Sequence, residues 1–458
     1  MRWWAVVFWL LAWQILSMQI GQEILMVSPV IAGKRLFQLL PEAHFWSTVL
    51  HSTERIMGGF LLGAVTGTVM AVLAFRHRKV EELCYPMICV MKSTPVASVI
   101  ILLLMWMSSG NLSVGIVFLM TFPILYTNVL EGLQQMDPKL TELAEVFELP
   151  KWVRVRWFAI PQLLPYVRAG CALGIGLAWK AGTAAEVIGI SGGTIGEKLY
   201  QAKIYLETAD LLAWTTMILV LSYLFEKLFL GILDMAGERL KRIQISESGR
   251  SDKRKSVPEE RQALNQDIVL THLSKRYGDH YVIQDLSRTF PCGQITCLMA
   301  PSGSGKTTLL RLLMGLEAPD NGRIAGMNGR KKSAVFQDQI FGEDLSVYAN
   351  IRMVRKRKLF ESEKQEYERI RAELEKVGLS ECMDQKVKEL SFGMRQRVAL
   401  VRAFYADWDV LFLDEPFRGL DKSTRELVIE YTRRKCIGKQ VLFVTHEEEE
   451  KEAMERYA

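Results

Sequence analysis

Runs of about twenty apolar residues recur through the first half of the chain and not through the second, and no other feature restricts the fold as strongly. A backbone in hydrocarbon has to satisfy its own N–H and C=O groups, so such runs become helices. Six spans are predicted: Trp3–Met18, Ile56–Phe75, Pro86–Met107, Leu112–Val129, Val167–Ile190 and Leu211–Leu233. The first follows a lone Arg2 and precedes no small-x-small cleavage site, so it reads as a span rather than a secretory signal. Basic residues cluster at Arg76 to Lys79, Lys139 to Arg156 and Arg239 to Arg242, whereas the intervening loops hold few. That bias puts the N-terminus, the loop before the fifth span and the whole second half on the cytoplasmic side.

Averaged over 458 residues, 49% hydrophobic against 24% charged looks like a soluble protein, and the average hides the split between the halves. A chain of this length holds two or three domains. The net charge of +6 gives no nucleic-acid reading, because Lys and Arg fall mostly in membrane-flanking loops and a linker. Seven cysteines without a C-x-x-C pair argue against a disulfide framework or a zinc site. In the second span Gly59, Gly63 and Gly67 recur every four residues, a smooth face for close packing on another helix. Lys180 and Glu186, ionisable groups in the fifth span, either line a translocation path or sit near the interfaces.

Residues 1–237 are therefore read as a membrane domain, 238–266 as a charged solvated linker, and 267–458 as an α/β domain with a largely parallel sheet. The last contains Leu298-Met-Ala-Pro-Ser-Gly-Ser-Gly-Lys-Thr-Thr-Leu309, an apolar strand from Ile295 to Ala300 that breaks into a Gly/Ser turn and restarts as a helix at Lys306. This is the layout of a phosphate-binding loop, with Pro301, Ser302, Gly303, Ser304, Gly305, Lys306, Thr307 and Thr308 as the cradle. Lys306 is suited to the β- and γ-phosphates of ATP and the Thr307 hydroxyl to Mg²⁺. Ala300 stands where the strict pattern has its first glycine, so a tighter or strained turn is expected there.

Three further strand ends converge on the same chemistry. Asp409 to Leu413 is an apolar strand closed by Asp414 and Glu415; Asp414 is placed to hold Mg²⁺ and Glu415 to polarise an attacking water. Gln337 closes Val335-Phe336 and is a candidate for metal and water, and His446 follows Val444-Thr445 and is a candidate for the γ-phosphate. Tyr277, upstream, is a candidate for stacking on adenine, with Tyr281 as its competitor.

With Leu390-Ser-Phe-Gly-Met394 and Gly419-Leu-Asp421 added, the second half resembles an ABC-transporter nucleotide-binding domain in nearly every motif. The resemblance implies that Ser391 and Gly393 act as the signature facing a second ATP, with Phe392 replacing a glycine and Met394 a glutamine. It also implies that 338–389 is the helical subdomain, with Phe341 to Val347 near the groove that receives a permease helix. The loop Thr141-Glu-Leu-Ala-Glu-Val-Phe-Glu-Leu-Pro150, followed by Ile160-Pro-Gln-Leu-Leu-Pro165, resembles the EAA loop of ABC importer permeases, with Glu148 at the motif's glycine. Glu142, Ala144 and Phe147 are then the coupling residues. From about Thr48 to Leu233 the arrangement is similar to permeases of the nitrate/sulfonate/taurine group.

The expectation is an α-helical membrane domain of six spans, importer-type, fused to an α/β P-loop NTPase domain of ABC type in the cell membrane. It would act as a homodimer that hydrolyses ATP with Mg²⁺ to move a small solute across the bilayer, served by an extracytoplasmic solute-binding protein. Two alternatives stand beside it. One is a half-exporter, which shares the order of domains. The other is a nucleotide-gated sensor, motivated by Ala300, Phe392 and the roughly dozen residues that follow His446. Glu415 and His446 argue against the sensor, since a dead site has no use for either.

Overall fold

A computed structural model of the chain describes residues 3–22, 26–247, 266–301, 303–355 and 362–455, with backbone alone over 238–247. The chain divides into two compact units, Met1–Met136 with Pro161–Gly237, and Asp137–Ile160 with Glu238–Ala458.

The first unit is helical. Its elements are α1 (Trp3–Ile20), α2 (Pro29–Leu39), α3 (Ala43–Arg76), α4 (Arg78–Ser93), α5 (Val96–Leu104) and α6 (Ser109–Gln134). After α7 (Pro138–Val146) and α8 (Lys151–Arg154), which belong to the second unit, come α9 (Ile160–Gly189), α10 (Ile195–Ile204) and α11 (Thr208–Glu247). Among the described residues, five helices are long and apolar enough to cross a membrane, and α4 with α5 makes a sixth span if the bent pair counts as one.

The span expected from Pro86 to Met107 falls on this bent pair. The two helices meet at 101° around Thr94 and Pro95. Proline has no N–H to donate and disfavours a helical conformation in the residue before it. Thr94 is accordingly extended, with φ −77° and ψ 130°. The last helix is also longer than expected, since α11 runs to Glu247, over the first ten positions assigned to the linker. Positions 248–265 of that assignment lie outside the described residues.

The glycine stripe on α3 faces α6. A Cβ on Gly59 would lie 2.6 Å from the Val114 carbonyl oxygen, one on Gly63 2.9 Å from the Thr121 Cβ, and one on Gly67 2.8 Å from the Phe122 carbonyl oxygen. The two backbones are therefore in contact at distances that only glycine permits. Lys180 and Glu186 do not meet. Lys180 is exposed, whereas Glu186 is fully buried and accepts from the Ser52 hydroxyl at 2.8 Å and the Gly196 N–H at 3.2 Å. The carboxylate thus sits at the N-terminus of α10, where the helix dipole favours negative charge.

The second unit is built on two sheets. Strands β1 (Ile268–Tyr277), β2 (His280–Phe290) and β4 (Asn321–Ala325) form an antiparallel sheet in the order β2-β1-β4. Strands β3 (Ile295–Leu298), β5 (Lys332–Val335), β6 (Val410–Asp414) and β7 (Gln440–Val444) form a parallel sheet in the order β3-β7-β6-β5. β3 stops at Leu298, two residues short of the expected Ala300, and is only half-buried, whereas β6 and β7 are buried throughout. Helices α12 (Lys306–Met314), α13 (Val347–Arg352), α14 (Glu363–Glu375), α15 (Phe392–Tyr405), α16 (Lys422–Cys436) and α17 (Glu448–Glu455) complete it.

The membrane-side loop belongs to this unit. Leu143 and Ala144 of α7 are fully buried, and with Leu140, Phe147, Val153, Trp157 and Phe158 they form one apolar cluster with Ile340, Leu345, Ala349 and Met353. Each leucine or phenylalanine buried there contributes about 1.5–3 kcal/mol.

Candidate functional site

In a parallel sheet the carboxyl ends of neighbouring strands open on one edge, and each strand here delivers at least one candidate to that edge. Behind β3 the loop turns through Gly303 and Gly305, with φ of 83° and 84°. Both lie in the left-handed region that glycine tolerates, so successive N–H groups can line an anion-binding concavity. Ala300 shows no such φ, so its methyl group imposes no strain and the expected tightening is absent. The Lys306 Nζ donates to the carbonyls of Ala300 and Pro301. Ser302 lies outside the described residues.

A cleft of about 330 Å³ brings together Gly303, Gly305, Lys306, Thr307, Thr308, Gln337, Asp414, Glu415 and His446. Thr307 Oγ1 donates to Asp414 Oδ2 at 3.0 Å across the cleft. Burial pushes the Asp414 carboxyl up to about 6, against the pull of the Thr307 hydroxyl. A hydroxyl and a buried carboxylate in contact beside the Gln337 amide are hard oxygen donors, the set that suits Mg²⁺ bound with a phosphate. The residues present therefore fit the metal, and Thr307, Gln337 and Asp414 are the ones that would hold it.

Glu415 closes β6 with a sharp turn. Its φ is 48°, a left-handed value rare outside glycine, and its N–H is tied to the Val444 carbonyl at 3.0 Å. The turn aims the carboxylate at His446, whose Nε2 lies 3.1 Å from Glu415 Oε1. Gln396, buried on α15, holds the turn from below by donating to the carbonyls of Glu415 (3.3 Å) and Pro416 (2.9 Å).

Ser391 and Gly393 lie outside the cleft. The Ser391 hydroxyl caps α15 by accepting from the Met394 N–H, and Phe392, half-exposed, rests its ring on Gly419 of the same chain. Tyr277 is half-exposed at the end of β1 and donates its hydroxyl to Glu317. Tyr281 pairs with Arg276 across the hairpin.

The three coupling candidates are seated on the second unit. Both oxygens of Glu142 accept from Arg311, at 2.6 and 2.9 Å. Ala144 is fully buried, and Phe147 lies 5.7 Å from the guanidinium of Arg402. Arg402 is fully buried, donates to the Ile340 carbonyl at 2.7 Å, and burial pushes its guanidinium down to about 9. Lys139 adds a second tether, its Nζ lying 2.7 Å from Asp338, the residue after Gln337. Glu148 takes φ 49°, so the left-handed turn expected of a glycine there is made by glutamate. Sequence reasoning missed Lys139, Arg311, Glu317, Asp338 and Gln396. Their partners lie 6 to 199 residues away, and no local pattern marks them.

Residues 283–418 match the ABC transporter family, and residues 59–242 match the family described as binding-protein-dependent transport system inner membrane component. The chain is 38% identical over 198 residues to the sulfate/thiosulfate import ATP-binding protein of Ralstonia nicotianae, covering 40% of this chain and 53% of that one. Against the protein of the same description from Synechococcus elongatus it is 37% identical, covering 40% and 56%. The chain spans about half the length of these curated relatives. Among solved structures, a dimeric post-hydrolysis ATP-binding cassette bound to ADP and Pi aligns with 24% identity and a TM-score of 0.38, covering 41% of this chain and 90% of that one.

Proposed function

We infer that this chain, a fused ABC transporter with a binding-protein-dependent permease domain and an ABC ATPase domain, is one half of a homodimeric, ATP-driven importer in the cell membrane. The observation that carries the reading is the grip of Arg311 on Glu142, since Arg311 belongs to the helix that begins with Lys306 and Thr307. A change at the phosphates is thereby transmitted to a segment continuous in sequence with the fourth and fifth spans.

The chemistry assigned to the cleft follows its geometry. The loop amides and Lys306 bind and orient the triphosphate of ATP. Thr307, Asp414 and Gln337 would hold Mg²⁺, which would supply positive charge against the phosphates. Glu415 accepts a proton from the attacking water, and His446 fixes the carboxylate and contacts the γ-phosphate. Ser391 and Gly393 of one copy close over the ATP of the other, so two chains make two equivalent sites. Tyr277 stacks on the adenine.

The solute in this reading is a small anion of the sulfonate, nitrate or taurine kind, delivered by an extracytoplasmic solute-binding protein. Similarity to sulfate/thiosulfate import ATP-binding proteins supports a small oxyanion. The exporter reading loses support from the matched permease family, and the sensor reading from the contact between Glu415 and His446.

The test is ATP hydrolysis by the full chain in lipid nanodiscs, with candidate solute-binding proteins each loaded with ligand, and Glu415→Gln as control. Stimulation by one loaded binding protein identifies import and the solute class together. Glu415-dependent hydrolysis that no binding protein changes turns the assignment to export, and absence of Glu415-dependent hydrolysis removes the transporter reading.

A further inference from the structure

We propose that Glu317 makes the grip on α7 depend on the nucleobase, through an unbroken chain of contacts from Tyr277 to Glu317, Arg311 and Glu142. The proposal rests on the function inferred above and deepens it, because it names which part of the nucleotide the coupling segment senses.

All three nitrogen positions of the Arg311 guanidinium are engaged. Nη1 and Nη2 donate to the two oxygens of Glu142, and Nε donates to Glu317 Oε1 at 2.6 Å. The other oxygen of Glu317 accepts from the Tyr277 hydroxyl. A guanidinium is a rigid planar fork, so its edge toward Glu317 cannot turn without turning the edge toward Glu142. Whatever fixes the Glu317 carboxylate therefore fixes the angle at which the fork meets α7. One partner of that carboxylate is Arg311 itself, and the other strong one is Tyr277. Lys275 stands 4.0 Å from Glu317 and is tied to the Ala318 carbonyl at 2.9 Å.

Tyr277 is the variable member. It is 48% exposed, whereas the Arg311, Glu142 and Glu317 side chains are 28%, 26% and 19% exposed. Its ring lies at the end of β1 with the Lys275 Nζ 5.6 Å from its centroid. A base stacked on this ring restricts its orientation and with it the direction of the hydroxyl. The triphosphate is read independently, through Lys306 and Thr307 at the start of α12. Two parts of one nucleotide thus reach Arg311 by separate routes and share its grip on Glu142, and Glu317, which touches neither, is a positioning residue for the base route.

The test compares ATP with ribose 5-triphosphate, which lacks the base, on the full chain in lipid nanodiscs with Mg²⁺. The readout is amide hydrogen exchange over Leu140 to Phe147. ATP is expected to slow exchange there at least threefold more than the base-free triphosphate does at equal occupancy. In Glu317→Ala that difference disappears while ATP still binds; a merely structural role would loosen α7 equally with both nucleotides and leave the difference intact. Tyr277→Phe, which keeps the ring and removes the hydroxyl, abolishes the difference in the same way and serves if Glu317→Ala fails to fold. Equal protection by the two nucleotides in the parent, or a difference that survives both substitutions, overturns the proposal while Glu415-dependent hydrolysis leaves the function standing. Failure of the parent to bind ATP removes both.

Discussion

Nε2 of His446 lies 3.1 Å from Oε1 of Glu415, across the ends of two neighbouring parallel strands. The contact depends on a left-handed backbone at Glu415, so the chain accepts local strain to aim a carboxylate into the cleft. If that carboxylate is the general base, Glu415→Gln lowers ATP turnover by ~10²-fold or more while nucleotide binding persists. His446→Ala leaves the base in place and misaligned, and the expected loss is smaller. Phosphate release and equilibrium ATP binding, measured on the same preparations, separate the two effects. Loss of binding in Glu415→Gln would contradict the assignment.

Phe392 stands where the resemblance implies a glycine, and its ring packs on Gly419 of its own chain. A Cβ on Gly419 would come within 2.6 Å of the Phe392 ring. Phe392→Gly is therefore expected to cost α15 roughly 0.5–1 kcal/mol and to change turnover by less than about tenfold, equivalent to ~1.4 kcal/mol. Gly419→Ala forces the ring off its seat and costs ~1–3 kcal/mol. Unfolding midpoints and steady-state ATPase rates check the pair, and a large gain in turnover for Phe392→Gly would mean the ring obstructs the site.

Glu148 occupies a left-handed turn at the end of α7, with its N–H bonded to the Glu145 carbonyl (3.1 Å) and that of Leu149 to the Ala144 carbonyl (2.9 Å). A Cβ in this conformation costs ~1–2 kcal/mol, partly offset by the greater freedom glycine loses on folding. Glu148→Gly is expected to stabilise the chain by up to ~1 kcal/mol, seen as a higher thermal midpoint. A lower midpoint would show that the glutamate side chain contributes more than its backbone costs.

Glu373, on α14, contributes to the pH dependence of stability. Burial pushes the Glu373 carboxyl up, but hydrogen bonds from Lys376 (2.8 Å), Lys435 (2.9 Å) and Tyr431 (2.7 Å) outweigh it and hold the carboxyl below its ordinary 4.5. A carboxyl lowered on folding stabilises the protein above its unfolded value, and the contribution disappears as the pH falls through the folded value. Glu373→Gln is expected to cost ~1–3 kcal/mol at neutral pH. The cost should begin to shrink below about pH 4.5, where the unfolded chain's carboxyl becomes protonated, and disappear as the pH falls through the lower folded value. Thermal unfolding from about pH 7 down to about pH 3 measures it, and a cost that does not change with pH would exclude the ionic origin.

Much of this architecture is legible in the sequence because each signal is local. The apolar runs, the α3 glycine stripe, the Gly303–Thr308 loop and the strand-end Asp414–Glu415 pair are each contained in a short window. The bend at Pro95 was also written locally, yet a hydropathy average over Pro86–Met107 conceals it. Short helices such as α2 and α10 are too brief to register as spans. What a single sequence cannot display is pairing at distance. Thr307 and Asp414 are 107 positions apart, Arg311 and Glu142 169, and Lys139 and Asp338 199. Ala300 illustrates the reverse error, since a missing glycine implied strain where the backbone never enters the left-handed region.

The segment 137–160 is continuous in sequence with the permease yet buries its leucines and aromatics among Ile340, Leu345, Ala349 and Met353. A cassette expressed from residue 267 onward would lack this lining and present those side chains to solvent as an adhesive patch. Such a fragment should precipitate or self-associate, and a separately supplied peptide spanning 137–160 should restore its solubility. The ATPase of this chain is thus completed by a segment that precedes residue 267 by more than a hundred residues, so cutting the chain between its two families of motif cuts through a single core.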